Sequence, residues 1–484
     1  MHATITIKIL GLLLMFFSVL ANLPPIFVSL LFDDGMVSPF LNAMLSLFVI
    51  GFLLWAITAR SRKELSTRDG FLVVTLFWTV LGTAGCMPFL LSSEVDLNFT
   101  DAVFESLSGL TTTGATVISG LDDLPKSILF YRQLLQWLGG MGIIVLAVAL
   151  LPMLGIGGMQ LYRAEAPGPV KDNKLVPKLA ETAKALWYIY LTLTVLCALA
   201  YWAAGMSLFD AISHSFTTVA IGGFSTYDAS MGHFDNWLIE AIAILFMFLA
   251  GINFALHFTA WRARSLMGYL SDPEFKFYSY ILGSLAVLTI TVLYSSNIYS
   301  SAGESVITGL FQVVSVATTT GFTTADFSTW PLFLPYLLLY AAIIGACAGS
   351  TGGGMKVVRI LLIFKQGIRE VKRLIHPRAV IPIKLGREVV SDRVIESVWG
   401  FFAVYVMAFM AMLLALLATG LDIITAFSAV GACINNLGPG LASVAENYGQ
   451  LPGMAKWILC LAMLMGRLEV FTLLVLFMPM FWRR

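Results

Sequence analysis

The sequence predicts an all-α membrane protein in which four pseudo-symmetric units, each a span, a re-entrant pore loop and a second span, surround one central pore, preceded by two extra transmembrane helices. Composition is the first indication. Hydrophobic residues fill 58% of the 484 positions and charged residues only 12%, in apolar runs of about 18 or more residues that suffice to cross hydrocarbon. The second indication is a motif that occurs four times at intervals of about a hundred residues, at 110–115, 219–224, 317–322 and 435–439. It aligns Gly114, Gly223, Gly321 and Gly438. The third is a matching register: 26 to 28 residues after each of these glycines a small residue recurs within an apolar run, at Gly140, Gly251, Gly349 and Gly466.

Taken in order, residues 1–65 hold two helices, at 5–31 and 38–59. The first lacks a small-residue cleavage site and is followed directly by a second run, so it reads as a retained helix rather than a secretion signal. Units follow at 66–160, 161–265, 266–375 and 376–484. Their paired spans are expected at 70–93 with 130–154, 183–205 with 236–261, 276–299 with 332–363, and 394–419 with 453–481, ten spans in all. Thirteen residues ahead of each aligned glycine stand Asp101, Asp210, Thr308 and Thr425. These are residue types that cap helix N-termini, so a short helix is expected to end just before every glycine.

Lys and Arg set the orientation, because positive loops stay in the cytoplasm. They cluster at Arg60, Arg62, Lys63 and Arg68, at Lys171, Lys174 and Lys178, at Arg262 and Arg264, between Lys356 and Arg393, and at Arg483 and Arg484. The segments around the second, third and fourth motifs instead carry Asp210, Asp228, Asp235, Glu304, Asp326, Asp422 and Glu446. The motifs therefore face outward and both termini are cytoplasmic. An acidic mouth would concentrate cations; a solvated loop face is the alternative. The net charge of +1 adds little, and the five cysteines lie in apolar runs at no metal-ligand spacing.

A dehydrated cation exchanges water for protein oxygens, and backbone carbonyls supply them only where the chain is extended and turned inward. Glycine allows that backbone. Non-helical chain at membrane depth is tolerated where it lines a water-filled cavity, as four loops around one axis would do. Each pore helix would also aim its negative carboxyl end at the site. Residues 111–113 and 318–320 add threonine hydroxyls.

These motifs resemble those of the Trk/Ktr/HKT superfamily of potassium transporters, and the two extra spans fit its bacterial Trk type better than the shorter Ktr type. The resemblance covers the whole chain. It rests on the four glycines, on the stretches 151–160 and 165–169, on Ala348 to Lys356, and on Met465 to Glu469. It implies potassium uptake across a bacterial inner membrane by a homodimer, with a cytosolic TrkA-like ring of nucleotide-binding regulatory subunits. Carried onto this sequence, it implies potassium ions at Thr112, Thr113, Gly114, Ile221, Gly222, Gly223, Thr319, Thr320, Gly321, Asn436, Leu437 and Gly438. A helix as rich in glycine as the run from Ala348 is expected to unwind or kink, and the resemblance makes Gly349, Ser350, Thr351, Gly352, Gly353, Gly354 and Lys356 an intramembrane gate, for which close helix packing through small residues is the alternative. Leu437 and Pro439 in the fourth copy, and the missing triple threonine in the second, make the symmetry approximate.

Other motifs weigh against enzymatic and nucleic-acid functions. Gly354, Met355, Lys356 and Val357 break the order of a phosphate-binding loop, and Gly155, Gly157 and Gly158 fail the dinucleotide pattern, so this chain is expected to bind no nucleotide itself. His214 and His257 have no Cys, Asp or Glu at ligand spacing and read as satisfied structural residues. Arg467 lies at span depth, level with Met141, Ile252 and Ser350, and must face a cavity or a partner. It is placed with the gate, as a positive charge below the filter or as a salt bridge to an acid on another helix. A pore leads; an ion-coupled potassium symporter, driven by protons or sodium, is the alternative, although four repeats of one topology argue against rocking inverted repeats.

Overall fold

The computed structural model describes residues 3–60, 67–145, 179–331 and 333–482. The stretches 151–160 and 165–169, the lysines at 171, 174 and 178, Arg62, Lys63 and the two terminal arginines lie outside the described residues. The chain opens with α1 (Ala3–Phe32) and α2 (Val37–Thr58). They pack without intervening side chains at one point, where a Cβ on Gly11 would stand 2.6 Å from the Gly51 carbonyl oxygen. Asp34 in their turn accepts the Ser29 hydroxyl at 2.5 Å and the Ser127 N–H at 2.9 Å, fixing this hairpin to the first unit.

That unit comprises α3 (Thr67–Ala84), α4 (Met87–Leu91), the pore helix α5 (Phe99–Leu110) and α6 (Lys126–Val145). In the second, α7 (Leu179–Ala203) leads to pore helix α8 (Leu208–Ala220), and the return span is α9 (Trp237–Ala250) with α10 (Phe254–Ala263), bent by 92°. After the short α11 (Met267–Ser271), the third unit has α12 (Pro273–Ser295), pore helix α13 (Ala302–Ala317), α14 (Leu334–Ile344) and α15 (Val357–Ile375). A two-stranded hairpin, β1 (Lys384–Leu385) and β2 (Glu388–Val389), precedes the fourth unit. This has α16 (Asp392–Ala418), pore helix α17 (Ile423–Ile434), and α18 (Gly453–Arg467) with α19 (Phe471–Phe477), bent by 116°, before α20 (Pro479–Trp482).

Six helices are long and apolar enough to cross a membrane among the described residues, or eight if each bent pair is one span. The spans expected at 236–261, 332–363 and 453–481 are all broken, at or beside the small-residue markers. Gly251 ends α9, and Asn253 restarts the chain by capping α10 at Ala255 N–H, 2.8 Å away. Glu469 and Val470 take positive φ (53° and 40°) and end α18. The third break is the longest: residues 345–356 are not helical, and α15 beyond them is an amphipathic helix rather than the rest of a span. Most of the basic loop expected from Lys356 to Arg393 is thus helix and hairpin.

The pore helices form the middle of the molecule, and α5 is buried from Ala102 to its end. Each ends ahead of its glycine as expected, but the caps stand elsewhere: Asn98, Ser207, Ser301 and Asp422. Asp101, Asp210 and Thr425 are the third helical residues, whose N–H groups those caps accept. Asn98 and Ser207 also donate to the Asp101 and Asp210 carboxylates, at 2.8 and 2.6 Å, a reciprocal cap that places the acid one turn inside. Thr308 is further in, because α13 is longer.

Candidate functional site

After each pore helix the chain repeats one backbone conformation four times. Thr112, Ile221, Thr319 and Asn436 have φ of 54°, 55°, 70° and 54°, and two residues later Gly114, Gly223, Gly321 and Gly438 have φ of 81°, 81°, 81° and 96°. The intervening Thr113, Gly222, Thr320 and Leu437 stay at negative φ. Left- and right-handed angles alternate, which turns successive carbonyls to the same side of the strand instead of to opposite sides as in a β-strand.

The four strands close a ring. A methyl built on Gly114 would overlap the carbonyl oxygen of Gly222, one on Gly223 that of Thr320, and one on Gly321 that of Leu437. One on Gly438 would stand 2.7 Å from the oxygen of Thr113. Glycine α-carbons and carbonyls thus alternate around the circle in chain order, and the twelve residues expected at the filter are brought together at its wall. The threonine hydroxyls are engaged within that wall: Thr111 with Thr113 and Thr318 with Thr320, each at 2.8 Å. Asn436 donates to the Thr113 hydroxyl at 3.0 Å, across the fourth and first units.

Behind the ring stand residues of which sequence reasoning noticed only His214. Nine positions before each of the first three glycines are Glu105, His214 and Gln312. Glu105 accepts from the Thr116 hydroxyl and, at 2.9 Å, from Val117 N–H; His214 contacts the Ser225 hydroxyl at 2.9 Å; Gln312 donates to the Ala325 carbonyl at 2.9 Å. In the fourth unit Ser428, one residue earlier, binds Leu441. The common spacing from the glycine was the available signal. His214 is the satisfied structural residue expected, and His257 likewise bonds Tyr269 and the Leu249 carbonyl.

An ion pair of the first unit reaches the second there. Arg132 Nε donates to Glu105 at 2.8 Å, with both side chains essentially inaccessible. Its other nitrogens reach the Ser225 carbonyl and the Thr116 hydroxyl, each at 3.1 Å, and the guanidinium lies 4.2 Å from the Phe224 ring centre. Gln136, one turn on, holds the Gly222 carbonyl at 2.7 Å and the Phe224 N–H at 3.1 Å. Removing one member of a buried pair leaves the other charge unpaired, at a cost of about 3–5 kcal/mol. Glu105→Ala is therefore expected to lower the melting temperature sharply, while Thr329→Ala on the outer surface leaves it unchanged in the same thermal scan.

Asp228, Asp235, Glu304, Asp326, Asp422 and Glu446 are exposed. Asp210 is not. It is buried among the Ser207, Thr226 and Tyr227 hydroxyls, where it anchors the strand after the second glycine. Burial, then the Asp210 charge, push the Tyr227 phenol up to about 12, so it stays a donor to that carboxylate.

Residues 345–356 lie directly below the ring as a hairpin-shaped loop. Its limbs are tied by Met355 N–H to the Ile343 carbonyl at 2.9 Å and Val357 N–H to Ala346 at 3.1 Å. Lys356 curls back to the Gly352 carbonyl, and Ser350 to Cys347. The tip meets the second, third and fourth units. Thr351 donates to Val219 at 2.9 Å, Gly353 N–H to the Thr319 hydroxyl at 2.7 Å, and Gly354 N–H to Asn435 at 3.2 Å. Gly349 stands further out, its carbonyl accepting Phe254 N–H at 3.0 Å.

Arg467 joins the loop to the first unit. Its guanidinium donates to the Thr351 carbonyl at 3.2 Å and the Gly139 carbonyl at 2.9 Å, and faces Trp78 at 5.3 Å. Gly139 in turn abuts the Leu110 carbonyl at the end of α5. Among the described residues its partners are carbonyls and a ring rather than an acid, so the salt-bridge alternative is not what the structure holds. Glu469, two residues away, pairs with Arg359 of α15 instead.

The chain matches the family model for TrkH, described as a cation transport protein, over residues 37–484. It is 57% identical over 484 residues, covering all of both chains, to the Trk system potassium uptake protein TrkH of Halomonas elongata. The relative of the same name in Escherichia coli K12 is 56% identical over 483 residues, 100% of each chain. The crystal structure of the potassium transporter TrkH from Vibrio parahaemolyticus superposes with a TM-score of 0.92, 53% identity and full coverage of both chains.

Proposed function

The chain belongs to the TrkH family of cation transport proteins, and from that membership we propose that it takes up potassium through a channel-like pore. The glycine ring is its selectivity filter and the loop below it is its gate. The observation that carries this reading is the closed alternation of four glycine α-carbons with four neighbouring carbonyls. With no side chain at the glycines, carbonyl oxygens can replace the hydration shell of a potassium ion, the substrate, at the twelve residues of the wall. The four pore helices end at the ring, each adding about half a negative charge there.

In this reading the protein spans the bacterial cytoplasmic membrane several times, with both termini in the cytoplasm. It works as a homodimer, and a cytosolic nucleotide-binding ring acts on the basic segment after the loop; the chain itself binds no nucleotide. The purified full-length protein in liposomes tests it. Downhill rubidium uptake without any added substrate, independent of a proton or sodium gradient, is expected; uptake that requires either gradient would make it a symporter.

Arg467 sits under the ring as a fixed positive charge. At an effective dielectric near 20, two unit charges about 4 Å apart repel by about 4 kcal/mol, so the guanidinium slows a passing cation. Arg467→Ala is expected to give folded protein with faster rubidium flux. Slower flux together with a lowered melting temperature would make Arg467 scaffold only.

A further inference from the structure

Helix α15 begins directly after the loop with no cap of its own: Lys356 precedes it at φ 76° and its side chain makes no capping bond. The first N–H groups of a helix need acceptors from elsewhere. One comes from another helix. Glu274, in the first turn of α12, accepts Val358 N–H at 3.2 Å through Oε1. The same oxygen accepts Ala348 N–H, inside the loop, at 2.7 Å. The Glu274 side chain is buried, and among the described residues these bonds are to backbone N–H groups rather than to a Lys or Arg.

We propose that Glu274 is the positioning residue that holds the loop closed, one carboxylate oxygen clasping the loop at Ala348 and the start of α15 at Val358 together. This rests on the loop being the gate. A buried carboxyl oxygen is costly to leave without its hydrogen bonds. Moving the loop alone gives up the Ala348 bond and moving α15 alone gives up the Val358 bond, so displacing α15 from the cytoplasmic side removes one of the two ties on Glu274 and loosens the loop that shares it. On its other side the first turn of α15 is held by the Arg359–Glu469 pair, so the clasp and that pair bracket the one helix that follows the gate.

The test uses the full chain in liposomes with rubidium and sodium as probe ions. Glu274→Gln keeps the shape and replaces one carboxyl oxygen by an NH2 donor; Glu274→Ala removes the clasp. Resting rubidium flux is expected to rise several-fold in Glu274→Gln and about tenfold in Glu274→Ala, with the rubidium-to-sodium ratio unchanged. Loop release has its own readout in Cys347, a buried free thiol beside Ala348. Its alkylation by a membrane-permeant maleimide, located by peptide mass spectrometry, is expected to speed up in the same order. Should the alanine variant fail to fold, the isosteric glutamine variant decides.

Wild-type flux and a protected Cys347 in folded Glu274→Gln would overturn the clasp, as would a changed ion ratio. Removing residues 352–354 separates the two ideas. If that deletion raises flux and the Glu274 variants do not, the clasp alone is wrong; if the deletion also leaves flux unchanged, the gate reading has failed.

Discussion

Replacing Gly114 by serine is expected to lower the preference for potassium over sodium by about one to two orders of magnitude. At φ 81° the new Cβ is strained, and it would fall on the carbonyl oxygen of Gly222. A non-glycine residue held there costs of order 1–3 kcal/mol, which is a factor of about 5–150 in a relative affinity. The ring relieves the overlap by moving that carbonyl, and the cation that depends most on its position loses most. Gly321→Ser, against Leu437, is expected to act in the same direction. Paired rubidium and sodium uptake in liposomes measures both; an unchanged ratio in the two variants would falsify the filter assignment.

Removing Gly352 to Gly354 is expected to have the opposite profile, a large rise in resting flux at constant ion preference. These glycines carry the tip beneath the ring: a Cβ on Gly352 would stand 2.7 Å from the Thr318 carbonyl, and one on Gly353 would overlap that of Asn435. Shortening the hairpin withdraws its bonds to Thr319 and Asn435 and frees Thr351, the residue Arg467 holds. Uptake before and after the deletion, on protein whose elution in gel filtration is unchanged, decides between a gate and a packing element.

Much of this architecture was legible because it depends on spacing. The interval between glycines placed four equivalent strands, and the second interval marked Gly251, Gly349 and Gly466, at or beside the points where spans break. The run of small residues from Ala348 predicted unwinding, and the structure unwinds further, from Gly345 to Lys356. Less legible was anything that depends on which distant side chains meet. Glu105 and Arg132 are 27 residues apart, on two helices whose relative rotation no periodicity states. Asp210 read as a mouth acid because an Asp near a helix start looks the same whether its carboxylate faces water or three hydroxyls. Arg467 drew attention by its depth, yet its acceptors are backbone carbonyls, which every residue carries and no sequence pattern distinguishes.

Three of the four joints of the ring are held in three different ways. One is held by an ion pair through Arg132 to Ser225, another by the Ser230 hydroxyl on Thr323 N–H, and a third by Tyr448 N–H on the Thr116 carbonyl and Tyr448 hydroxyl on that of Gly438. In a pore assembled from four identical chains, any substitution is imposed four times at once and its effect is raised to that power. On the pore reading, a single codon here alters a single wall, so selectivity would be tuned in quarter steps, and mixed rings that a homotetramer could never populate are ordinary point mutants of this chain.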